Sequence, residues 1–289
     1  MTKIRCAVTG ASGYLGSRLV SHLASWGIEV IQMTHSPSKV AGRSIQFSLG
    51  EEVMIESLRG LDALVHCAYD FSVTDWDDIV RKNVDGTRRL FVAAKATGIK
   101  TVFFVSSMSA FAGCRSFYGR AKLLGEQVAF ETGAFVVRPG LIYDAQAGGM
   151  VGTLRRVIEK SSWVPVLRTR GQRLYLLHSK DFCQFILNAI TGQICLPLSP
   201  VTLAHERGFT LDEIIRVIGL SMGKRLTLIP IPSGIVYVFF KTGEIFGIRG
   251  RLRSDAVRSM LNCDPSPSFL EMNTLNFIPQ GFSEASFRR

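Results

Sequence analysis

The feature that most constrains this chain lies near its amino terminus. An apolar run, Ile4–Thr9, leads straight into Gly10-Ala11-Ser12-Gly13-Tyr14-Leu15-Gly16, and a helical pattern begins near Ser17. Glycines placed between a strand and a helix let the chain turn sharply, let its backbone approach a pyrophosphate, and let helix and strand pack closely. The amides at the helix start then face phosphate with a favourable dipole. A dinucleotide-binding βα unit is therefore expected, with Gly10, Ser12, Gly13, Tyr14, Leu15 and Gly16 as cofactor contacts.

The rest of the first half repeats this rhythm. Strand patterns fall at Glu29–Thr34, Ser44–Phe47, Ala63–Cys67, Thr101–Ser106 and Phe135–Arg138. Between them, Asp75 to Ala96 reads as a helix. Its stripe of Trp76, Ile79, Val80, Val84, Thr87, Leu90, Phe91 and Ala94 recurs every three or four residues, and Gly98 stops it. Alternating strands and helices of these lengths predict right-handed crossovers and a parallel sheet covered on both faces, with ligands at the carboxyl ends of its strands. The predicted fold class is α/β, a Rossmann-type doubly wound parallel sheet over residues 1–145 with a smaller C-terminal substrate lobe over most of 146–289. Residues 174–200 are expected to return to the core sheet. In the lobe, Gly148-Gly149 opens a helical stretch, Asp181–Ile190 reads as a helix, and Thr210 with Glu213 forms a capping signal ahead of Ile214 and Ile215. The tail after Asn262, with Pro265, Pro267 and Pro279, is expected to be irregular.

The glycine spacing is Gly-x-x-Gly-x-x-Gly after Thr9, not Gly-x-Gly-x-x-Gly. In this the chain resembles the short-chain dehydrogenase/reductase superfamily, specifically its extended branch of nucleotide-sugar epimerases, dehydratases and related reductases, the NAD-dependent epimerase/dehydratase family. The resemblance is strong to about residue 145 and weaker beyond. A second motif fits it: the strand Thr101–Ser106 ends on two hydroxyls, and eleven residues after Ser107 comes Tyr118-Gly119-Arg120-Ala121-Lys122. Positions i and i+4 share a helix face. The Lys122 ammonium is expected to pull the Tyr118 phenol below its ordinary pKa of about 10, readying it as a general acid or base. The resemblance implies that Ser107 bonds the reacting oxygen and that Lys122 also holds the nicotinamide ribose. Counting forward from Gly98-Ile99-Lys100 selects Ser107 and counting back from Gly113 selects Met108; the forward count is preferred, with Ser106 and Ser109 close by.

Where dehydratases carry an Asp-Glu pair after the strand hydroxyl, this chain has Met108 and Ser109, which ranks dehydration low. The stretch from Ser107 to Tyr118 is also shorter than in the sugar epimerases. The position that holds an acid in NAD enzymes falls at Thr34, followed by His35, Ser36 and Lys39, with Arg43 beyond. Without a carboxylate to repel a 2′-phosphate, NADP(H) is favoured over NAD(H). Ser48 and Leu49 match the adenine side, Cys67, Ala68 and Tyr69 the strand end that lines the cofactor, and Pro139 the place beside the nicotinamide amide. Asn83 is expected to bond main chain near the active site, and His178-Ser179-Lys180-Asp181 to be structural. Arg155, Arg156, Arg168, Arg170 and Arg173 lie where a substrate diphosphate would be clamped, or are simply solvated.

Composition narrows the partners. The net charge of +11 is spread along the chain, without the aromatic-interleaved basic run of a nucleic-acid groove. A phosphorylated cofactor and substrate account for it best, a membrane surface second. Six scattered cysteines show no metal spacing, and the strand at the amino terminus leaves no room for a signal peptide, so a reducing cytoplasm is expected. Leu226–Phe240 is uncharged but is broken by Pro230, Pro232 and Gly234, so it reads as a core helix after a turn, with peripheral membrane contact as the alternative. The expectation is an NAD(P)-dependent oxidoreductase or epimerase acting at a secondary alcohol or carbonyl carbon, preferably of a nucleotide sugar. A homodimer through helices near residues 75–95 and 118–130 would be typical of relatives. The competing readings are a non-catalytic dinucleotide-binding sensor or assembly protein, and a membrane-associated reductase of a lipid-linked or sterol-like substrate.

Overall fold

A computed structural model describes residues 3–37, 42–145, 148–167, 171–232, 255, 258–259 and 262–287. Chain order gives β1 (Arg5–Thr9), α1 (Tyr14–Ser25), β2 (Glu29–Thr34), β3 (Ser44–Gln46), β4 (Ala63–His66), α2 (Trp76–Ile79), α3 (Asp85–Ala96), β5 (Thr101–Val105), α4 (Phe117–Thr132) and β6 (Phe135–Pro139). The second half adds β7 (Leu141–Tyr143), α5 (Gly149–Lys160), β8 (Trp163–Leu167), β9 (Leu176–His178), α6 (Ser179–Ile190), β10 (Val201–Leu203), α7 (Leu211–Ser221), β11 (Thr227–Ile231) and α8 (Leu270–Thr274).

Seven strands form the main sheet in the order β10-β6-β5-β4-β1-β2-β3, and every pairing is parallel. The chain moves one way from β1 to β2 and β3, then crosses over to β4, so a crevice opens at the carboxyl ends of β1 and β4. Strand residues alternate between two cores. Ala7, Leu64 and Phe104 pack with Leu90, Phe91 and Val128, whereas Val8, Val65 and Phe103 pack with Leu19, Phe182 and Phe185. Burial on both faces explains why these strands read as continuous apolar runs.

The helix expected over Asp75–Ala96 is divided. Asp75 caps it, its side chain accepting from the amides of Asp77 and Asp78, but Val80–Val84 forms a π-helical turn between α2 and α3. Such turns are frequent at functional sites. Here Asn83 is buried within it; its Oδ1 accepts from the Asp70 amide at 2.6 Å, and its Nδ2 donates to the Asp70 carbonyl at 3.3 Å. Asn83 thus braces the loop after β4.

Beyond β6, a third core gathers Tyr143, Val151, Ile158, Val164, Ile214, Ile215 and Ile218. Thr210 and Glu213 form the full capping box of α7. Within residues 174–200, α6 packs against α1 on the sheet, and the edge strand β10 follows at Val201–Leu203. Where a turn was expected ahead of a helix, Thr227–Ile231 is a strand, paired among the described residues only with β8. Thr227, Ile229 and Ile231 are β-branched and alternate with Leu228 and Pro230, and a proline without an N–H is tolerated on such an edge. The remainder of that apolar run, 233–240, lies outside the described residues. Among the described residues, no helix is long and apolar enough to cross a membrane.

Candidate active site

The glycine loop is built as its spacing requires. Gly10 has a left-handed φ of +64°, and a Cβ there would lie 2.9 Å from Ala68 Cα at the end of β4. The Gly13 amide donates to the Gly10 carbonyl at 2.9 Å, and a Cβ on Gly16 would come within 2.2 Å of that same oxygen. Beneath the loop, His66 is fully buried. Its Nδ1 is 2.7 Å from Thr9 Oγ1 and its Nε2 is 3.0 Å from Thr87 Oγ1. Thr87 donates its own proton to the Asn83 carbonyl at 2.6 Å, so it must accept from Nε2–H, which leaves Nδ1 to accept from Thr9. Thr9 in turn accepts from the Ala68 amide at 3.2 Å. This chain fixes the imidazole tautomer, and burial, aided by Lys122, pushes His66 down to about 3. The residue is a neutral strut that ties together the carboxyl ends of β1 and β4.

Two further observations fit a dinucleotide in this cradle. The Ser48 hydroxyl, on the side expected to face adenine, is buried without a hydrogen-bond partner among the described residues. Thr34 is buried at the end of β2 with Oγ1 3.0 Å from Ser12 Oγ, and no carboxylate stands there. His35 is exposed, with Nδ1 3.3 Å from Ser36 Oγ. Arg43 is drawn towards the amino end of β2, its Nη1 donating to Glu29 at 2.9 Å. Lys39 lies outside the described residues. The Tyr14 ring covers the Gly148-Gly149 pair, where a Cβ on Gly148 would fall 2.1 Å from it; this joins the cradle to the start of α5.

At the other end of the crevice, β5 delivers the serines and α4 delivers the Tyr/Lys pair. The consecutive serines part company. Ser106 turns into the core and donates to Glu126 at 2.5 Å, where Glu126 also accepts from Arg138 Nε at 2.7 Å and Nη2 at 2.5 Å. Ser107 turns out, accepts from the Ser109 amide at 3.1 Å, and shares a side-chain hydrogen bond with Tyr118. Met108 donates its amide to the Pro139 carbonyl at 3.1 Å. Lys122 is buried, with Nζ donating to the Val105 carbonyl at 2.7 Å and lying 4.8, 5.3 and 5.9 Å from the ring centres of Phe104, Tyr69 and Tyr118. Ser107, Tyr118 and Lys122 therefore converge beside Cys67, Ala68 and Tyr69.

The electrostatics depart from the expectation for Tyr118. Burial pushes the phenol up to about 12, against the lowering effect of its Ser107 bond. Burial also brings Lys122 down to about 8, with Cys67 and Glu126 opposing. The ammonium that was expected to depress Tyr118 is spent on a main-chain carbonyl, so in the protein alone desolvation wins over attraction.

Sequence reasoning missed three residues here. Phe71, 61 % exposed, stacks on the Tyr118 ring at 5.7 Å and 24°, with Tyr69 edge-on to Tyr118 at 4.9 Å. Glu126 was legible only as an acid one turn beyond Lys122. Asp255 accepts from the Phe117 and Tyr118 amides at 2.8 and 3.0 Å, a pairing across 138 and 137 residues that no local pattern announces. Other candidates have ordinary partners. His178 caps α6 through the Lys180 amide. Arg155 and Arg173 donate to the carbonyls of Ala145 and Gly208, and Arg156 to Thr153. Arg168 and Arg170 lie outside the described residues. Among the described residues, no cluster of ligating side chains forms a metal site.

With this geometry in place, the similarities to known proteins are informative. The chain is 28 % identical over 286 residues to a ceramide reductase of Caulobacter vibrioides, covering 92 % of this chain and 87 % of that one. Its fold matches dTDP-4-dehydrorhamnose reductase from Bacillus anthracis, solved in complex with NADP, with a TM-score of 0.70 at 19 % identity over 99 % of this chain and 98 % of that one. It also matches UDP-glucose 4-epimerase from Thermotoga maritima, solved with UDP-glucose, with a TM-score of 0.69 at 20 % identity over 79 % and 86 % of the two chains. The sequence profile of the NAD dependent epimerase/dehydratase family matches residues 6–193, and with the parallel sheet and glycine cradle this establishes that the chain belongs to that NAD(P)-binding family, within the extended short-chain dehydrogenases/reductases.

Proposed function

We propose that this protein is an NADP(H)-dependent reductase that interconverts a carbonyl and a secondary alcohol on an apolar, lipid-type substrate, using Ser107, Tyr118 and Lys122. The observation that carries the chemistry is the convergence of the Ser107 hydroxyl, the Tyr118 phenol and the buried Lys122 ammonium. When bound, the cofactor supplies a hydride to the carbonyl carbon or accepts one from the alcohol carbon. Tyr118, held protonated by burial, donates its proton to the carbonyl oxygen in the reducing direction, and Ser107 donates a second hydrogen bond to that oxygen. Lys122 offsets the charge left on the phenolate until solvent returns a proton. The absent acid at Thr34 supports NADP(H), and the unpartnered Ser48 hydroxyl supports an adenine contact.

The substrate class rests on two supports. A relative that spans nearly the whole chain is a ceramide reductase, and the reacting phenol has the exposed Phe71 ring and Tyr69 packed against it. A nucleotide sugar is the second reading, favoured by the fold shared with an epimerase that holds UDP-glucose. The test is to titrate NADPH and NADH by fluorescence, then assay a short-chain ceramide with NADP+ and UDP-glucose in parallel. Tyr118→Phe is expected to lower turnover by at least about 100-fold with cofactor affinity unchanged. Full activity in that variant overturns the mechanism, and turnover of UDP-glucose alone overturns the lipid assignment.

A further inference from the structure

The first turn of any helix leaves amides without intrahelical partners. In α4, which carries Tyr118 and Lys122, Ser116 Oγ takes the Gly119 amide at 3.1 Å and the Ser116 carbonyl takes Arg120. That leaves Phe117 and Tyr118, and one carboxylate satisfies both: Asp255 Oδ1 and Oδ2 at 2.8 and 3.0 Å. The grip continues on either side. Ser259 donates its hydroxyl to Ser116 Oγ at 2.8 Å, and Asn262 Oδ1 accepts from the Arg115 amide at 2.8 Å. Three side chains from a segment far along the chain thus hold four consecutive residues, Arg115–Tyr118. The carboxylate complements the positive end of the helix dipole, and it lies close enough to Tyr69, the edge-on neighbour of Tyr118, to act on it electrostatically.

We infer that Asp255 is a positioning residue: its carboxylate, reaching across from the C-terminal segment, clamps the first turn of α4 and sets the place of the Tyr118 phenol in the cleft. This rests on the reading of Tyr118 as the proton donor. The leverage is geometric. Tyr118 is the second residue of α4, so movement of its amide carries its side chain directly, and proton transfer tolerates little displacement of the donor. An ordinary N-cap already exists in Ser116, so the Asp255 bonds are additional to it.

The test uses the full-length protein with Asp255→Ala, Asp255→Asn and Tyr118→Phe, assayed with a short-chain ceramide and NADP+. In Asp255→Ala, kcat is expected to fall roughly 10- to 100-fold, as a displacement of about an ångström would produce. NADPH affinity and binding stoichiometry should stay unchanged. Asp255→Asn, which keeps one acceptor oxygen, should recover part of the loss. Hydrogen exchange at the Phe117 and Tyr118 amides should quicken in the alanine variant, a readout that needs no substrate. Wild-type kcat in Asp255→Ala, or a loss that merely tracks lost NADPH stoichiometry, overturns the inference; unchanged exchange at both amides does so as well. An inactive Tyr118→Phe beside a fully active Asp255→Ala refutes the positioning role alone, whereas an active Tyr118→Phe refutes the mechanism beneath it.

Discussion

Glu126 is the residue whose removal should be felt most widely. Its side chain is 3 % exposed and accepts three hydrogen bonds, one from Ser106 just past β5 and two from Arg138 on β6, whose side chain is 24 % exposed. One carboxylate thus binds the helix of Tyr118 and Lys122 to the strand that presents Ser107 and to its neighbour. In Glu126→Ala the guanidinium and the Ser106 hydroxyl lose this partner beneath the sheet end. Each hydrogen bond to a charged group contributes about 1.5–3 kcal/mol, and breaking a buried ion pair by removing one partner costs about 3–5 kcal/mol. Because Arg138 is partly reached by solvent, the low end applies, about 3 kcal/mol. For a chain of this size that corresponds to a fall in Tm of roughly 5 °C. Urea denaturation followed by circular dichroism, at low and high salt, measures it. Glu126→Gln keeps the shape and one acceptor and should lose less. Ion pairs this buried are weakly screened, so the deficit should persist in high salt. A loss below about 1 kcal/mol, or one that disappears with salt, would show that the pair behaves like a surface bridge and refute the reasoning.

Three more outcomes are expected. Gly16→Ala should weaken NADPH binding by about 10-fold or more, because its Cβ would sit 2.2 Å from the Gly10 carbonyl and force the cradle open; unchanged affinity by fluorescence titration would contradict this. His66, at about 3 in the fold, binds a proton far less readily than the ordinary histidine of the unfolded chain. Stability linked to it is therefore complete above the unfolded value of about 6.5 and declines as pH falls from there towards about 3. His66→Gln should flatten that decline by up to about 1.4 kcal/mol per pH unit, measured by denaturation at a series of pH values, and an identical slope would refute the neutral strut. Phe71→Ser should raise KM for a ceramide while leaving Tm almost unchanged, since the ring is 61 % exposed; an unaltered KM removes Phe71 from the substrate wall.

Much of this protein can be read residue by residue along the chain because it is governed by short-range rules. Gly10 and Gly16 are dictated by backbone sterics within a single turn, and the two-sided burial of Cys6–Val8, Leu64–Val65 and Phe103–Val105 leaves an apolar run that any strand rule detects. The Thr210–Glu213 box is equally local. Where the rules were weaker, so was the reading. Val201–Leu203 is too short to announce itself, and the strand Thr227–Ile231 is hidden because Pro230 and Pro232 read as a turn and an apolar run so interrupted carries no clear period.

The amino-acid sequence alone therefore determined the βα cradle, the alternating architecture and the types of side chain available for proton transfer, since each depends on neighbours within a few positions. Only the tertiary structure decided which serine faces Tyr118, that Ser106 instead donates to Glu126, that Lys122 donates a hydrogen bond to the Val105 carbonyl, and that Asp255 holds the head of α4. It alone also reversed the expected direction for Tyr118, because desolvation depends on every group packed around the phenol. Those neighbours come from strands, loops and a distant segment that spacing in a chain does not bring together.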